Sequence, residues 1–165
     1  MGAGKTTVGR ACATALGRGF VDTDELIETR TGRTVPELFE TIGEAGFREA
    51  ERAAVADAAA SPEPLVIAVG GGAMVDPVNR RTVRHDGFVV WLQGAPAELA
   101  ARVERDGVGA RPMLAGGPAA ATLTRLAAAR AGAYTAAADA TVPTDDAHVT
   151  AVTDAVLRVY AEAAA

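Results

Sequence analysis

Two stretches of the chain are apolar without interruption, Leu65-Val66-Ile67-Ala68-Val69 and Phe88-Val89-Val90-Trp91-Leu92. A strand covered on both faces has this pattern, whereas a strand with one wet face alternates. Shorter runs at Phe20-Val21 and Ala140-Thr141-Val142 predict two more strands. Between the strands the polar and apolar positions recur at helical spacing. One helix is predicted over Thr6–Leu16, stopped by Gly17 and Gly19, and another over Glu25–Thr31. Thr34-Val35-Pro36-Glu37 is a capping box with proline in the first turn, and it opens a short helix through Phe39. Gly43 and Gly46 interrupt before an alanine-rich helix over Phe47–Ala60. Asp76-Pro77 starts a helix to about His85, and further helices are predicted over Pro96–Arg105 and from Ala119 to about Ala138. From Ala147 a last helix runs to the C-terminus, its apolar stripe formed by Val149, Val152, Val156, Leu157 and Tyr160. Helix and strand alternating in this way predict an α/β fold, a parallel sheet with helices on both faces. Ser61-Pro62-Glu63-Pro64 is a stiff turn too short to serve as a linker between domains, so residues 1–165 are expected to form a single one.

Bulk composition narrows the classes of function. The 165 residues are 49% hydrophobic, enough for a core, although much of that is alanine, which buries little area. Net charge is −5, and no stretch gathers Lys and Arg without acids between them, which argues against a nucleic-acid groove. No apolar run approaches the ~18 residues of a membrane helix. The single cysteine, Cys12, cannot form an internal disulfide, which suits a reducing cytoplasm. It shares a helix face with Val8 and Ala15 and is expected to pack. A cytoplasmic monomer is the expectation, since no long exposed apolar stripe stands out.

The chemistry begins at the first residues. Gly2-Ala3-Gly4-Lys5-Thr6-Thr7 reads as the second half of a P-loop, G-x-x-x-x-G-K-[ST], whose first glycine would lie upstream of Met1. Such glycines let backbone amides approach phosphate oxygens, the lysine adds charge at the β/γ end, and the hydroxyl after it can bind Mg²⁺. Lys5 is the only lysine in the chain; every other basic side chain apart from two histidines is arginine. On these residues alone a glycine-rich coil stays open as the alternative. Asp22-Thr23-Asp24 ends a predicted strand at the ligand-bearing edge of such a sheet. Asp22 and Asp24 alternate there and should do different jobs, unless one only caps the next helix. Arg48 and Glu51 stand three apart on one helix face, either a functional pair or a surface one. Gly70-Gly71-Gly72 places bare backbone at the same edge, or is merely a flexible turn. Residues 106–117 carry Arg111 and little pattern, either a flap that closes on phosphates or a plain surface loop. His85, near a helix C-terminus, is not expected to be catalytic.

Together these residues resemble the shikimate kinase family, small P-loop enzymes akin to nucleoside monophosphate kinases. The likeness spans essentially the whole chain through GAGKTT at Gly2–Thr7, DTD at Asp22–Asp24, FRxxE at Phe47–Glu51 and GGG at Gly70–Gly72. RPML at Arg111–Leu114 and RxxxY at Arg130–Tyr134 complete it. The resemblance implies a three-layer α/β/α P-loop NTPase fold with a mainly parallel sheet, and transfer of the ATP γ-phosphoryl to the 3-hydroxyl of shikimate. It implies that Gly2, Ala3, Gly4, Lys5, Thr6 and Thr7 hold the phosphates, with Thr6 and Asp22 serving Mg²⁺. Asp24 would bind the shikimate hydroxyls and accept the proton of the attacking one. Arg48 and Arg130 would clamp the carboxylate, Glu51 would orient Arg48, and Gly70, Gly71 and Gly72 would face the ring. Arg111 would close onto the transferring phosphate. Apart from the resemblance, Arg105 stands just before the flap, where it could stack on adenine. The substrate region is expected over about 24–60 and the flap over about 106–117.

Two departures from the family pattern stand out. Thr144-Asp145-Asp146-Ala147-His148, where an adenine-contacting loop is expected, is acidic and lacks a later proline. The strand that leads into a P-loop lies in the middle of the sheet, so the chain is expected to begin some ten residues late, at an internal methionine, and to lack that central strand. If so, its two neighbours lose a ladder of hydrogen bonds. Two rival readings follow, a related small-metabolite kinase such as one for gluconate, and a truncated non-catalytic nucleotide-binding relative.

Overall fold

The computed structural model describes residues 2–106, 119–145 and 147–165. Helix and strand alternate as α1 (Lys5–Leu16), β1 (Gly19–Asp22), α2 (Thr23–Thr31), α3 (Val35–Ala59), β2 (Leu65–Ala68), α4 (Pro77–Asp86), β3 (Val90–Gln93), α5 (Pro96–Asp106), α6 (Ala119–Ala137), β4 (Ala140–Pro143) and α7 (Val149–Ala163), with a 3₁₀ turn over Ala73–Val75. β1 pairs parallel to β2 with Gly19 opposite Leu65, and β3 pairs parallel to β4 with Val90 opposite Ala140. Helices cover both faces. Val8 and Cys12 of α1 and Val152 of α7 join Val142, Val66, Val90 and Leu92 on one side. On the other, Val55, Ala73, Met74 and Ala137 gather Val69, Val83, Val89 and Tyr134. This is the three-layer α/β/α arrangement the resemblance implies.

The sheet, however, is divided into two pairs, β1-β2 and β3-β4. Between them lies a cavity of about 1310 Å³. The absence of a central strand among the described elements corrects one sequence expectation: β2 and β3 are not covered throughout, because most of their residues are only half-buried. Their apolar pattern is that of strands inside a continuous sheet, and here each has a neighbour on one edge only.

Local chemistry explains the remaining boundaries. Gly17, with φ 63°, closes α1 by bonding its N–H back to the last turn. The capping box at Thr34 and Glu37 forms in full. α3 is two helical segments joined at Gly43, whose φ of 68° and ψ of −179° put a kink where the sequence predicts an interruption; Gly46 stays helical. α2 starts at Thr23 rather than Glu25, because Asp22 accepts the Asp24 N–H and caps it. Val149 is 40% exposed at the start of α7 and does not belong to its buried stripe. Cys12 is buried beside Val8, as expected.

Ile27, Leu38 and Phe47 form the core that braces α2 against α3. Each is at most 3% exposed, and each burial is worth roughly 1.5–3 kcal/mol. Two helices fixed in this way hold Asp24 and Arg48 at a set separation, which is what the site needs from the fold.

Candidate active site

The phosphate end is built from glycine conformations. Gly2 and Gly4 have φ of 72° and 77°, a left-handed backbone that side chains with a Cβ adopt only under strain. At Gly2 a Cβ would also fall 2.6 Å from the Leu99 carbonyl oxygen. Gly4 stands at the N-cap of α1 and has no side chain to spend on the first amides, which are left for an anion. Lys5 and Thr6 then open the helix. The Thr6 hydroxyl donates to Asp22 Oδ2 at 2.7 Å, while Asp22 Oδ1 accepts the Asp24 N–H at 3.0 Å. One carboxylate thus ties the phosphate loop to the start of α2. Asp24 lies in the first turn of that helix rather than on the strand end.

The opposite wall is the Gly70–Gly72 backbone, and here the glycines are required for space. A Cβ on Gly70 would meet Asp24 Oδ1 at 2.7 Å and Glu51 Oε1 at 3.0 Å. On Gly71 it would meet Arg130 Nη1 and the Tyr134 hydroxyl, both at 3.3 Å, and on Gly72 Arg48 Nη1 at 2.3 Å. Every side chain expected to serve the acceptor, on α2, α3 and α6, therefore converges on these three residues.

The loop itself is pinned. The Gly70 N–H donates to Thr23 Oγ1 at 3.1 Å, and Thr23 is completely buried. Tyr134 donates its hydroxyl to the Gly71 carbonyl at 2.6 Å, its ring set 5.4 Å from that of Trp91. Buried Asn79 donates to the Ala73 carbonyl at 3.0 Å. Sequence reasoning assigns Thr23 and Asn79 no role; the only signal for Thr23 is a hydroxyl between two carboxylates in DTD.

Arg48 and Glu51 form a pair whose carboxylate is buried and whose guanidinium is half-buried. Their Nη1 to Oε2 distance is 2.8 Å, and the Glu51 side chain is 2% exposed. Glu44, also missed in the sequence, takes the other end of the guanidinium at 3.1 Å. Burial pulls the Arg48 pKa down, but the Glu51 and Glu44 carboxylates outweigh it and leave it above the ordinary arginine value. Burial raises the Glu51 carboxyl above its ordinary range, Arg48 opposes, Asp24 adds to the rise and Arg130 opposes. Asp24 is also raised, first by burial and then by the neighbouring charge of Asp22; Lys5 pulls it back, Glu28 pushes it up and Arg48 pulls it down. The influence of Lys5 on Asp24 puts the phosphate end and the acceptor end within electrostatic reach of each other.

Two expected residues remain to be placed. Arg105 is exposed in the last turn of α5, and Arg111 lies outside the described residues. What the sequence missed nearby is Arg102, whose guanidinium reaches the Thr144 carbonyl and, at 3.4 Å, its hydroxyl. With Asp145 accepting the Ala95 N–H at 2.7 Å, it fastens the Thr144-Asp145 turn to the start of α5. Among the described residues no cluster of three or more His, Cys, Asp or Glu could cage a metal, and no helix is long and apolar enough to cross a membrane.

Comparison with known proteins agrees with this geometry. The family model described as shikimate kinase matches residues 1–161. A shikimate kinase of Symbiobacterium thermophilum is 48% identical over 145 residues, covering 88% of this chain and 83% of the relative. One of Thiobacillus denitrificans is 44% identical over 144 residues, with 87% and 77% covered. Among solved structures, shikimate kinase from Acinetobacter baumannii in complex with shikimate superposes with a TM-score of 0.93 at 36% identity, over 98% of this chain and 89% of its own. The enzyme from Bacteroides thetaiotaomicron does so with a TM-score of 0.87 at 34% identity, over 97% and 93%. The gluconate and non-catalytic readings gain nothing from these relatives.

Proposed function

The chain belongs to the shikimate kinase family, and from that premise we propose how its own residues divide the work of moving a phosphoryl group from ATP to shikimate. The observation that supports the assignment best is the crowding of Asp24, Arg48, Glu51 and Arg130 around Gly70–Gly72, beside the loop that bears Lys5 and Thr6. Phosphoryl transfer asks little covalent chemistry of a protein; it asks for alignment and for positive charge on the equatorial oxygens.

In this reading the amides of Gly2–Thr7 hold the β- and γ-phosphates, and Lys5 adds the charge that grows in value as the transition state forms. Arg48 and Arg130 clamp the shikimate carboxylate with planar, directional donors that lysine lacks. Glu51, hydrogen-bonded to Arg48 at 2.8 Å, keeps the guanidinium turned toward Gly72. Asp24 accepts the proton of the 3-hydroxyl. Its raised pKa makes it a stronger base than an exposed carboxylate, and the charge of Lys5 opposes that rise. Thr6 and Asp22 fit Mg²⁺, which takes one or two protein oxygens and otherwise water and phosphate. When bound, that ion neutralises charge on the β- and γ-oxygens. Arg111 and Arg105 are proposed to serve the nucleotide. We place the enzyme in the cytoplasm as a monomer working as one domain.

Arg48→Ala tests the assignment. The expected result is a rise of about 30-fold or more in KM for shikimate, the scale of one lost charged hydrogen-bonding group, with KM for ATP within about twofold. Arg48→Lys should recover little, because the fork geometry is lost. Equal losses for both substrates would instead mark a folding defect and overturn the role.

Tyr134 acts through the Gly71 carbonyl and is a positioning residue. Tyr134→Phe removes one hydrogen bond and leaves the ring against Trp91. KM for shikimate should rise about 5–10-fold, from ~1–1.5 kcal/mol, with ATP binding unchanged. An unchanged KM for shikimate would remove Tyr134 from that role.

A further inference from the structure

On α4, Pro77, Arg80, Arg81 and Arg84 stand at i, i+3, i+4 and i+7 and so share one face of the helix. They line an open groove of about 450 Å³, with His85 beside them and Ala136, in the last turn of α6, opposite. The chain carries a net charge of −5, yet three arginines wall this groove, and among the described residues no carboxylate lines it.

The way the arginines are held keeps their charge in place. Arg80 directs Nη1 at the main-chain carbonyls of Met74 and Val75, at 2.7 and 2.9 Å. A carbonyl carries no net charge, so it fixes the guanidinium without neutralising it and leaves the edge formed by Nε and Nη2 uncommitted. Arg84 gives Nη1 to the Ala136 carbonyl at 2.6 Å and reaches Asp139 Oδ1 with Nη2 only at 3.3 Å. That carboxylate also accepts the Val89 N–H, at 2.9 Å. Arg81 is exposed and has no hydrogen-bond or ion-pair partner among the described residues. The remaining carboxylates nearby are engaged elsewhere, Asp76 by Arg52 and Asp86 by His85. Arg80 with Arg84, and Arg81 with Arg84, are like-charge neighbours four and three residues apart, an arrangement that destabilises a helix unless an anion lies between them.

We propose that this groove is a binding site for a phosphate dianion, free or as the monoester of a small metabolite, held by Arg81 and by the uncommitted edges of Arg80 and Arg84. Planar guanidinium forks match phosphate oxygens, and three of them converge here. The volume is that of a small-molecule site, and Pro77 and Ala136 give the carbon skeleton of an ester an apolar surface. No residue of the groove belongs to the phosphate loop or to the cluster around Gly70–Gly72. Arg80 is fastened to the Ala73–Val75 turn and Arg84 to the end of α6, so a bound dianion bridges those two elements.

The test keeps the other anion sites full. Inorganic phosphate or glycerol 3-phosphate is titrated, at constant ionic strength, into the protein saturated with a non-hydrolysable ATP analogue, Mg²⁺ and shikimate. Binding is followed by calorimetry and by the ¹⁵Nε resonances of the arginines. Saturable one-to-one binding is expected, with a Kd of about 1 mM or tighter. Arg81→Gln removes a side chain that holds nothing else in place, and it should weaken binding by about tenfold or more. Arg158→Gln removes the same charge from an exposed position of α7, across the sheet, and should leave the Kd unchanged. Tighter binding of glycerol 3-phosphate would identify an ester as the ligand, and tighter binding of inorganic phosphate the free ion; either upholds the site. Equal Kd values for Arg81→Gln and the unaltered protein, or equal losses in both variants, would reduce the groove to general surface charge and overturn the proposal. The lack of any saturable response would do the same.

Discussion

Asp24→Asn is expected to abolish most turnover while raising the thermal midpoint at neutral pH. A general base contributes about 10²–10⁴-fold, and asparagine has no basic oxygen pair to replace it. The stability gain follows from the direction of the Asp24 shift. Burial and the charge of Asp22 raise its pKa in the folded state, against the partial relief given by Lys5 and Arg48. The folded protein therefore binds this proton more tightly than the unfolded chain does. Stability from this group is complete below the ordinary carboxylate range and is lost as pH rises through the raised pKa. Asparagine does not titrate, so the variant escapes the loss. At pH 7.5 its midpoint should lie higher than that of the unaltered protein, and the gap should close in acid. A midpoint unchanged or lower at pH 7.5 would show that Asp24 is not strained, and retained turnover that it is not catalytic.

Glu51→Gln should behave differently although the Glu51 pKa is raised too. Glu51 is hydrogen-bonded to Arg48, and neutralising it leaves a half-buried guanidinium short of its main carboxylate. Glu51 is bonded directly to the Arg48 cation, whereas the pull of Lys5 and Arg48 on Asp24 is outweighed by burial and by the charge of Asp22.

What is legible in the sequence divides along the same physical line. Continuous apolar runs and capping residues are local signals, and they locate β2, α4 and the kink at Gly43 to within a residue or two. Motif spacing locates Arg48, Glu51 and the glycine triplet, because the resemblance supplies their company. Contacts between distant segments leave no local trace. Nothing in Thr23 or Asn79 as residues announces that each holds one end of the Gly70–Ala73 turn. The same blindness hides Arg102, one arginine among many on a helix, whose partner at Thr144 stands 42 positions away. Asp22 is the intermediate case. The sequence shows that an aspartate of DTD can cap α2, but not that Asp22 does so while also holding the Thr6 hydroxyl, since that takes one oxygen for each partner and is a matter of geometry.

Lys5→Met should lower kcat by about 10²–10³-fold with little effect on the fold. Methionine keeps a straight chain of similar length and removes only the ammonium. A second readout separates this role from mere loss of activity. Lys5 pulls the Asp24 pKa down, so its removal should let that pKa climb further. The residual activity of the variant should then show its acid limb displaced to higher pH, since kcat/KM follows the ionised base. Because Lys5 is the sole lysine, a lysine-directed acylating reagent offers the same test on the unaltered protein. Complete modification of its side chain should abolish turnover, and saturating ATP should slow the reaction at that position. Full activity after modification, or an acid limb that does not move in Lys5→Met, would separate Lys5 from both the phosphates and the base.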